Sequence, residues 1–183
     1  RITMRIEDAI IDLGDHQLLL RNAGEEDAEM LLECLKTTCG ETRFLVKEPE
    51  EIDLTLDDER KFIHNQNESK QNIMLLGFVD GEYVGNCSLM GMEQGRYHHR
   101  VSLGIALYQK YTGCGIGKAM IGKLIEIARE HQFEQIELEV VADNQRAIAL
   151  YKKMGFEIFG TFPNNMKYKD GTYADAYWMM KRL

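Results

Sequence analysis

The sequence has few cysteines, few prolines and no long apolar run, and each shortage removes a class of protein. Its four cysteines form no C-x-x-C pair and have no histidine at zinc spacing, so we expect free thiols in a reducing compartment; they are Cys34, Cys39, Cys87 and Cys114. With only two prolines, no Pro/Ser-rich linker divides the 183 residues. We therefore expect an N-terminal arm at residues 1–14 and a single domain at 15–183.

Basic charge is also in short supply. The formal net charge of −8 argues against a nucleic-acid partner, because proteins that bind a phosphate backbone normally present a basic surface. The chain lacks a run of about 20 apolar residues, so we expect no membrane span. Its first residues, RITMRIEDAI, contain acids and lack the apolar centre of a signal peptide, which makes the cytoplasm the expected compartment.

Periodicity and turn signals predict an α/β protein of the mixed α+β kind, in the order β-α-α-β-β-β-α-β-α-β-β. Asp80-Gly81 between two apolar runs predicts a hairpin. Strands are expected at 16–23, in two runs within 72–92, and at 97–108, 135–142, 156–162 and 172–183. Helices are expected at 25–36, 55–69 with Thr55 as N-cap, 118–131, and 144–155 with Asn144 as N-cap, whereas 38–54 is expected to be a loop.

A glycine-rich segment, YTGCGIGKAM at 111–120, separates a predicted strand from a predicted helix. Its alternating glycines allow backbone N–H groups to approach a ligand, and the helix start adds unpaired donors, which together favour a phosphate cradle over a plain turn. The P-loop pattern fails because its first glycine falls on Thr112 and Ala119 has no hydroxyl. The dinucleotide pattern fails because its third glycine falls on Lys118, which disfavours a nucleotide-binding protein.

Three segments together resemble the GNAT N-acetyltransferases: the strand VSLGIALY, the turn QKYTGCGIGKAM, and LEVVADNQRAIALYKKMGFEIFG. The family pattern [RQ]-x-x-G-x-[GA] aligns with residues 112–117. The pattern N-x-x-A-x-x-L-Y-x-x-x-G-F aligns with residues 144–156. The resemblance covers roughly residues 16–183. It implies a central, mixed but mostly antiparallel twisted sheet of about seven strands, flanked by about four helices.

The resemblance also implies a cofactor, acetyl-CoA, and no metal. Its pyrophosphate would lie over the turn, and its pantetheine arm would pair with the end of the preceding strand where a neighbouring strand splays away. The implied binding residues are Ile105, Ala106, Leu107, Thr112, Gly113, Cys114, Gly115, Ile116, Gly117, Lys118 and Asn144. Asn144 is equally explained as a plain helix N-cap.

The chain departs from the family pattern at two positions. Thr112 stands where Arg or Gln is usual, so a charge-assisted phosphate bond is missing and Lys110 or Lys118 is left to compensate. Ser102 stands where many members have a glutamate that relays the proton of the amine. A serine is no general base by itself, so the candidates are His98 and His99, expected on opposite faces of one strand, and Glu41. A mechanism without a strong base stays open.

Tyr151 aligns with the family tyrosine near the CoA sulfur, where a phenol would protonate or hydrogen-bond the thiolate; the alternative is a packed aromatic. Direct attack of the amine is expected, because no base is placed beside Cys114 for a covalent route.

The expected activity is acetyl transfer to a primary amine of a small molecule, polyamine, amino acid or protein N-terminus. The alternative is a non-catalytic acyl-CoA-binding sensor or interaction module. The acidic segment 48–53 could attract a cationic amine or simply be solvated. Tyr173 and Trp178 are expected in the core or at an interface, and a homodimer is possible.

Overall fold

A computed structural model describes residues 3–183, and its centre is one eight-stranded sheet. Residues 1 and 2 of the expected arm lie outside the described residues. The strands are β1 Ala9–Asp12, β2 Gln17–Asn22, β3 Asn72–Val79, β4 Glu82–Met90, β5 Arg100–Leu107, β6 Gln135–Val141, β7 Glu157–Lys167 and β8 Tyr173–Arg182. The seven predicted strands are present, and β1 adds an edge strand inside the segment 1–14.

The strand order is β1-β2-β3-β4-β5-β6-β8-β7, and every neighbouring pair is antiparallel except β5 and β6. That parallel pair is joined by a helical crossover, as parallel neighbours require. The mixed, mostly antiparallel sheet expected from the sequence is therefore confirmed.

Four α-helices cover the two faces of the sheet among the described residues: α1 Ala28–Glu41, α2 Leu56–Glu68, α3 Ile116–Glu130 and α4 Gln145–Lys153. Helices α1 and α2 pack on one face, where Leu31 and Ile63 meet Leu76 of β3. Helices α3 and α4 pack on the other face within the larger core cluster, which includes Leu124 and Ile148. Within residues 3–183, no helix is long and apolar enough to cross a bilayer.

Local signals fixed several boundaries. Asp80 and Gly81 both adopt positive φ, at 51° and 80°, and connect β3 to β4 as the predicted hairpin turn. Thr55 accepts a hydrogen bond from the Asp58 amide at 3.1 Å, which confirms it as the N-cap of α2. The reciprocal carboxylate of this capping box belongs to Asp58.

The segment 38–54 was predicted as a loop, and this is wrong at its start and at residues 49–51. Helix α1 continues to Glu41, and a short 3-10 helix forms at Pro49–Glu51. Its Glu51 carboxylate accepts the Glu48 amide at 2.9 Å, so one of the segment's acids serves the turn itself. The acidic segment is therefore partly structural.

Candidate active site

Strands β5 and β6 pair only at their beginnings. The parallel register runs from Arg100↔Gln135 to Ser102↔Glu137 and then stops, while β5 stays paired with β4 and β6 stays paired with β8. The facing edges at 103–107 and 138–141 therefore carry unpaired backbone N–H and C=O groups. The splay predicted near the end of this strand is confirmed, and it opens a wedge in the middle of the sheet.

The glycine turn lies at the wide end of this wedge. Gly113 and Gly115 have φ values of 77° and 83°, which L side chains rarely adopt, and Gly115 is the N-cap of α3. The N–H groups of the first turn of α3 have no intrahelical acceptors, and its N-cap Gly115 has no side chain to accept from them. A Cβ at Gly115 would meet nothing within 4 Å, which leaves open space above these donors. The geometry suits an anion.

Gly117 marks where three elements converge. A Cβ there would lie 3.3 Å from Leu150 of α4, 3.7 Å from Leu107 and 3.8 Å from Ile105. The half-buried end of β5, the start of α3 and helix α4 therefore meet at one point, on the α3/α4 face of the sheet. This arrangement brings the predicted binding residues of β5 and of the turn together.

Two further predicted residues lie on α4 or at its start. Asn144 accepts a hydrogen bond from the Ala147 amide at 3.3 Å, which confirms the N-cap and leaves its NH₂ group to turn toward a ligand. Tyr151 is buried beside Phe156, with ring centroids 5.9 Å apart. Burial raises the pKa of Tyr151 to about 12, so its phenol keeps its proton at neutral pH.

The opposite face of the wedge carries carboxylates that the sequence interpretation missed. Because side chains alternate along a strand and Ser102 pairs with Glu137, both residues, together with Glu139, lie on the α1/α2 face. They line a depression of about 460 Å³ that also includes Phe159 and Trp178. The alternation in QIELEVV would have grouped the two glutamates, but their proximity to Ser102 depends on the register of a non-local strand pair.

The two glutamates have different surroundings. Glu137 forms an ion pair with Arg100 and also accepts from Gln135 at 3.2 Å. Glu139 lies two residues further on, inside the splayed part, where Asn165 donates to it at 2.9 Å and the Trp178 indole at 3.2 Å. No ion pair joins Glu139 to a cation within residues 3–183. Neutral donors orient its carboxylate without neutralising it.

The histidine candidates lie elsewhere. Both were expected on a strand, but β5 begins at Arg100, so that placement is wrong; His98 follows a 3-10 helix at Gly95–Tyr97 and bonds the Glu93 carbonyl. His99 and Ile105 are separated by roughly 20 Å of strand, at about 3.3 Å per residue. This separation gives neither histidine any support as the base.

Glu41 lies nearer the wedge, but it has a structural partner. It ends α1 and accepts the Gln109 amide at 2.8 Å, which ties the helix to the loop after β5. Lys110, in the same loop, forms an ion pair with Glu82 at 3.0 Å, so the charge of Lys110 already has a partner.

Side-chain contacts, here called the roof, connect the loop after α1 to the β7–β8 hairpin. Arg43, in the loop after α1, stacks on the Tyr168 ring at 4.0 Å, and the Tyr168 hydroxyl donates to the Arg43 carbonyl at 2.8 Å. Lys169 pairs with Glu50. These contacts join the loop to the β7–β8 hairpin and enclose a pocket of about 410 Å³, whose charged lining is Arg43, Lys47, Lys167, Glu48 and Glu51.

The structure also shows the surroundings of Tyr173, Trp178 and Cys114, which were discussed from the sequence. Tyr173 is 54% and Trp178 37% exposed, so neither is a core residue. Trp178 instead stacks on the exposed Phe159 at 6.2 Å. Cys114 is exposed, and its thiol donates to the Thr112 carbonyl at 3.6 Å.

The same region is similar to known proteins in both sequence and structure. The model of the Acetyltransferase (GNAT) family matches residues 37–156, which is most of the chain and includes the wedge, the turn and α4. A solved acetyltransferase of the GNAT family from Streptococcus pneumoniae superposes with a TM-score of 0.86 at 30% identity, covering 91% of this chain and 99% of that one.

Curated relatives differ in their acceptors. The L-amino acid N-acetyltransferase AaaT of Escherichia coli is 34% identical over 110 residues, which are 58% of this chain and 66% of AaaT, slightly under two thirds of its length. The spermidine N(1)-acetyltransferase of Escherichia coli is 26% identical over 170 residues, which are 90% of this chain and 85% of the relative.

Proposed function

The chain belongs to the acetyltransferase (GNAT) family, and on that premise we propose that it transfers the acetyl group of acetyl-CoA to the primary amine of a small acceptor. The observation that carries the proposal is the wedge between β5 and β6. The glycine turn borders it on the α3/α4 side, and Glu139 borders it on the α1/α2 side. Donor and acceptor can therefore meet in the wedge from opposite faces, which is the arrangement that direct transfer needs.

The donor side fits a pyrophosphate followed by an extended arm. We assign the phosphates to the backbone N–H groups of residues 113–118, where the glycines leave room and the start of α3 adds its positive dipole end. The arm then follows the free edge of β5 at Ile105–Leu107, with the NH₂ group of Asn144 as a further donor. Acetyl-CoA supplies an acetyl group activated as a thioester. Unpaired N–H groups on that edge polarise its carbonyl.

On the acceptor side, Glu139 receives the proton of the attacking amine. It lies inside the splayed segment, whereas Glu137 lies at the last paired position and is neutralised by Arg100. An oriented carboxylate with no cationic partner is the group best placed to take a proton and then release it to solvent. Glu139 thus takes the proton-accepting role of the glutamate that many family members have at the position of Ser102.

Tyr151 assists the departing sulfur by donating a hydrogen bond. A thiol has an ordinary pKa of about 8.5, so complete proton transfer from a phenol with a pKa of about 12 would be unfavourable by about 5 kcal/mol. A hydrogen bond from the protonated phenol is available throughout the neutral range and stabilises the thiolate as charge develops.

Replacing Tyr151 by Phe removes this donor and little else, because the ring still packs against Phe156. We expect kcat to fall about tenfold, with the dissociation constant for CoA within about twofold of wild type, in keeping with the loss of one hydrogen bond to a developing charge. Steady-state kinetics and calorimetry separate the two quantities. An unchanged kcat would leave Tyr151 with a packing role only.

The acceptor is proposed to be a small amino acid. The roof pocket has three cations against two acids, so it suits a carboxylate better than a polyamine. Met166 of its lining follows Asn165, which donates to Glu139, so strand β7 contributes both to this pocket and to the surroundings of the proposed base. The similarity to AaaT points to the same class.

A thiol-release assay with L-amino acids, spermidine and N-terminal peptides tests this preference. We expect the highest kcat/KM with one of the amino acids, by at least about tenfold, since tenfold corresponds to about 1.4 kcal/mol of differential binding. A preference for spermidine of the same size would overturn the amino-acid proposal and leave the transferase proposal intact. The non-catalytic sensor would instead bind the donor and release no thiol with any amine.

The cytoplasm and a possible homodimer stay proposals. Cys34, Cys39 and Cys87 are buried free thiols, which agrees with a reducing compartment.

A further inference from the structure

The glycine turn lacks the Arg or Gln that the family pattern places at its first position. Thr112 occupies that position, and its side chain can offer only a hydroxyl. Backbone amides attract a phosphate, but a guanidinium adds charge-assisted and often bidentate hydrogen bonds. A second element could supply that charge, so the cations around the turn need separate consideration.

Lys110 is committed to another partner, because it forms an ion pair with Glu82 at 3.0 Å. Lys118, in the first turn of α3, is exposed, and no described contact directs it to the turn. Arg146 comes from a different element, the first turn of α4, and reaches across to the glycine turn. Its Nη1 donates to the Thr112 hydroxyl at 2.8 Å.

The guanidinium of Arg146 is held by a short chain of hydrogen bonds. The Thr112 hydroxyl donates its proton to the Gln109 carbonyl at 2.7 Å, so a lone pair of the same oxygen accepts from Arg146. A Cβ built on Gly113 would lie 3.7 Å from Nη1 and 3.9 Å from Cζ, which places the charged plane directly beside the turn.

Arg146 forms no ion pair with an acid within residues 3–183, whereas Lys110, which precedes the turn, is paired with Glu82. An exposed arginine that is fixed by a hydroxyl, and is not paired with a carboxylate, keeps most of its five N–H donors for another ligand. The anion expected at this turn is the donor's pyrophosphate.

We propose that Arg146 binds the pyrophosphate of the acyl-CoA donor, and that Thr112 acts as its positioning residue. This proposal rests on the proposed function. The guanidinium that an arginine at the motif's first position would provide is thus supplied by α4, and the threonine holds it beside the turn. Asn144 and Arg146 then place the beginning of α4 alongside the donor, with Tyr151 further along the same helix.

The test is calorimetric titration of wild type, Arg146→Ala and Arg146→Lys with CoA and with 3′-dephospho-CoA. We expect Arg146→Ala to weaken CoA binding about tenfold, or about 1.4 kcal/mol, and to weaken 3′-dephospho-CoA by the same factor. Arg146→Lys should fall between the two, because an ammonium keeps the charge and loses the planar fork. The Arg146→Ala penalty should shrink at high salt.

Arg129→Ala is the matched control, because it removes the same charge from the last turn of α3, roughly 20 Å from the turn at 1.5 Å per residue. Its CoA affinity should stay within about twofold of wild type. In the Arg146→Ala background, Thr112→Arg should recover most of the lost affinity by returning a guanidinium to the motif position.

Three outcomes bear on the proposal differently. Equal CoA affinity in wild type and Arg146→Ala would overturn it while leaving the proposed function standing. A penalty with CoA that disappears with 3′-dephospho-CoA would move the contact to the ribose phosphate and refute the pyrophosphate assignment. A wild-type protein that binds neither ligand would refute the proposed function itself.

Discussion

Gly115→Glu is expected to abolish measurable binding of acetyl-CoA, with affinity reduced at least about a hundredfold. Gly115 has a φ of 83° and caps α3, and a Cβ there would enter open space rather than the core. The variant should therefore fold, at a cost of about 1–2 kcal/mol for the left-handed backbone. Its carboxylate would then occupy the phosphate path and repel the anion.

Two further variants separate charge from backbone strain. Gly115→Ala imposes the same left-handed strain without the charge and should weaken binding only a few-fold. Gly14→Glu introduces the same side chain at another open glycine with a φ of 100°, in the β1–β2 turn, and should bind like wild type. Unchanged calorimetric affinity in Gly115→Glu would refute the cradle.

Glu139→Gln is expected to lower kcat about a hundredfold at neutral pH, within the 10²–10⁴ range of general acid–base catalysis. The amide keeps the size of the side chain and can still accept one of the hydrogen bonds from Asn165 and Trp178. It cannot accept a proton. CoA affinity should not change, because Glu139 lies on the face of the sheet opposite the glycine turn.

The pH profile distinguishes a base from a residue that only shapes the pocket. As pH rises toward the pKa of the acceptor amine, more of the amine is already deprotonated, so the deficit of Glu139→Gln should shrink. A deficit that is constant with pH would argue for a positioning role.

Glu137→Gln is the neighbouring control on the same strand and face. It breaks the ion pair with Arg100, so its melting temperature should fall, while its kcat should stay within about threefold of wild type. A larger loss of kcat in Glu137→Gln than in Glu139→Gln would reverse the assignment of the base.

The parts of the molecule that the sequence predicted well depend on short-range chemistry. The Asp80-Gly81 turn needs two residues that tolerate positive φ, and the caps at Thr55 and Asn144 need a side-chain oxygen at the start of a helix. Alternating side chains and helical spacing identified seven strands and four helices. The four residues of β1 are too few to show a period, and pairing with β2 decides them.

The parts that it missed depend on contacts between distant segments. No residue near Thr112 in the sequence predicts its hydrogen bond with Arg146, because the two residues are 34 positions apart. The histidines were expected on the strand because 97–108 alternates, but a 3-10 turn delays the first pairing to Arg100. Glu139 became a candidate only when the register showed where β5 and β6 separate.

One titration tests the central claim most directly. Acetyl-CoA is added to the wild-type protein in a calorimeter, and free thiol is then followed in the same sample before and after an amino acid is added. The account predicts binding at one site per chain, no stoichiometric thiol release from acetyl-CoA alone, and rapid release once the amine is present. Release of one thiol per chain before the amine would indicate an acetylated enzyme and contradict direct transfer, and absence of binding would contradict the whole account.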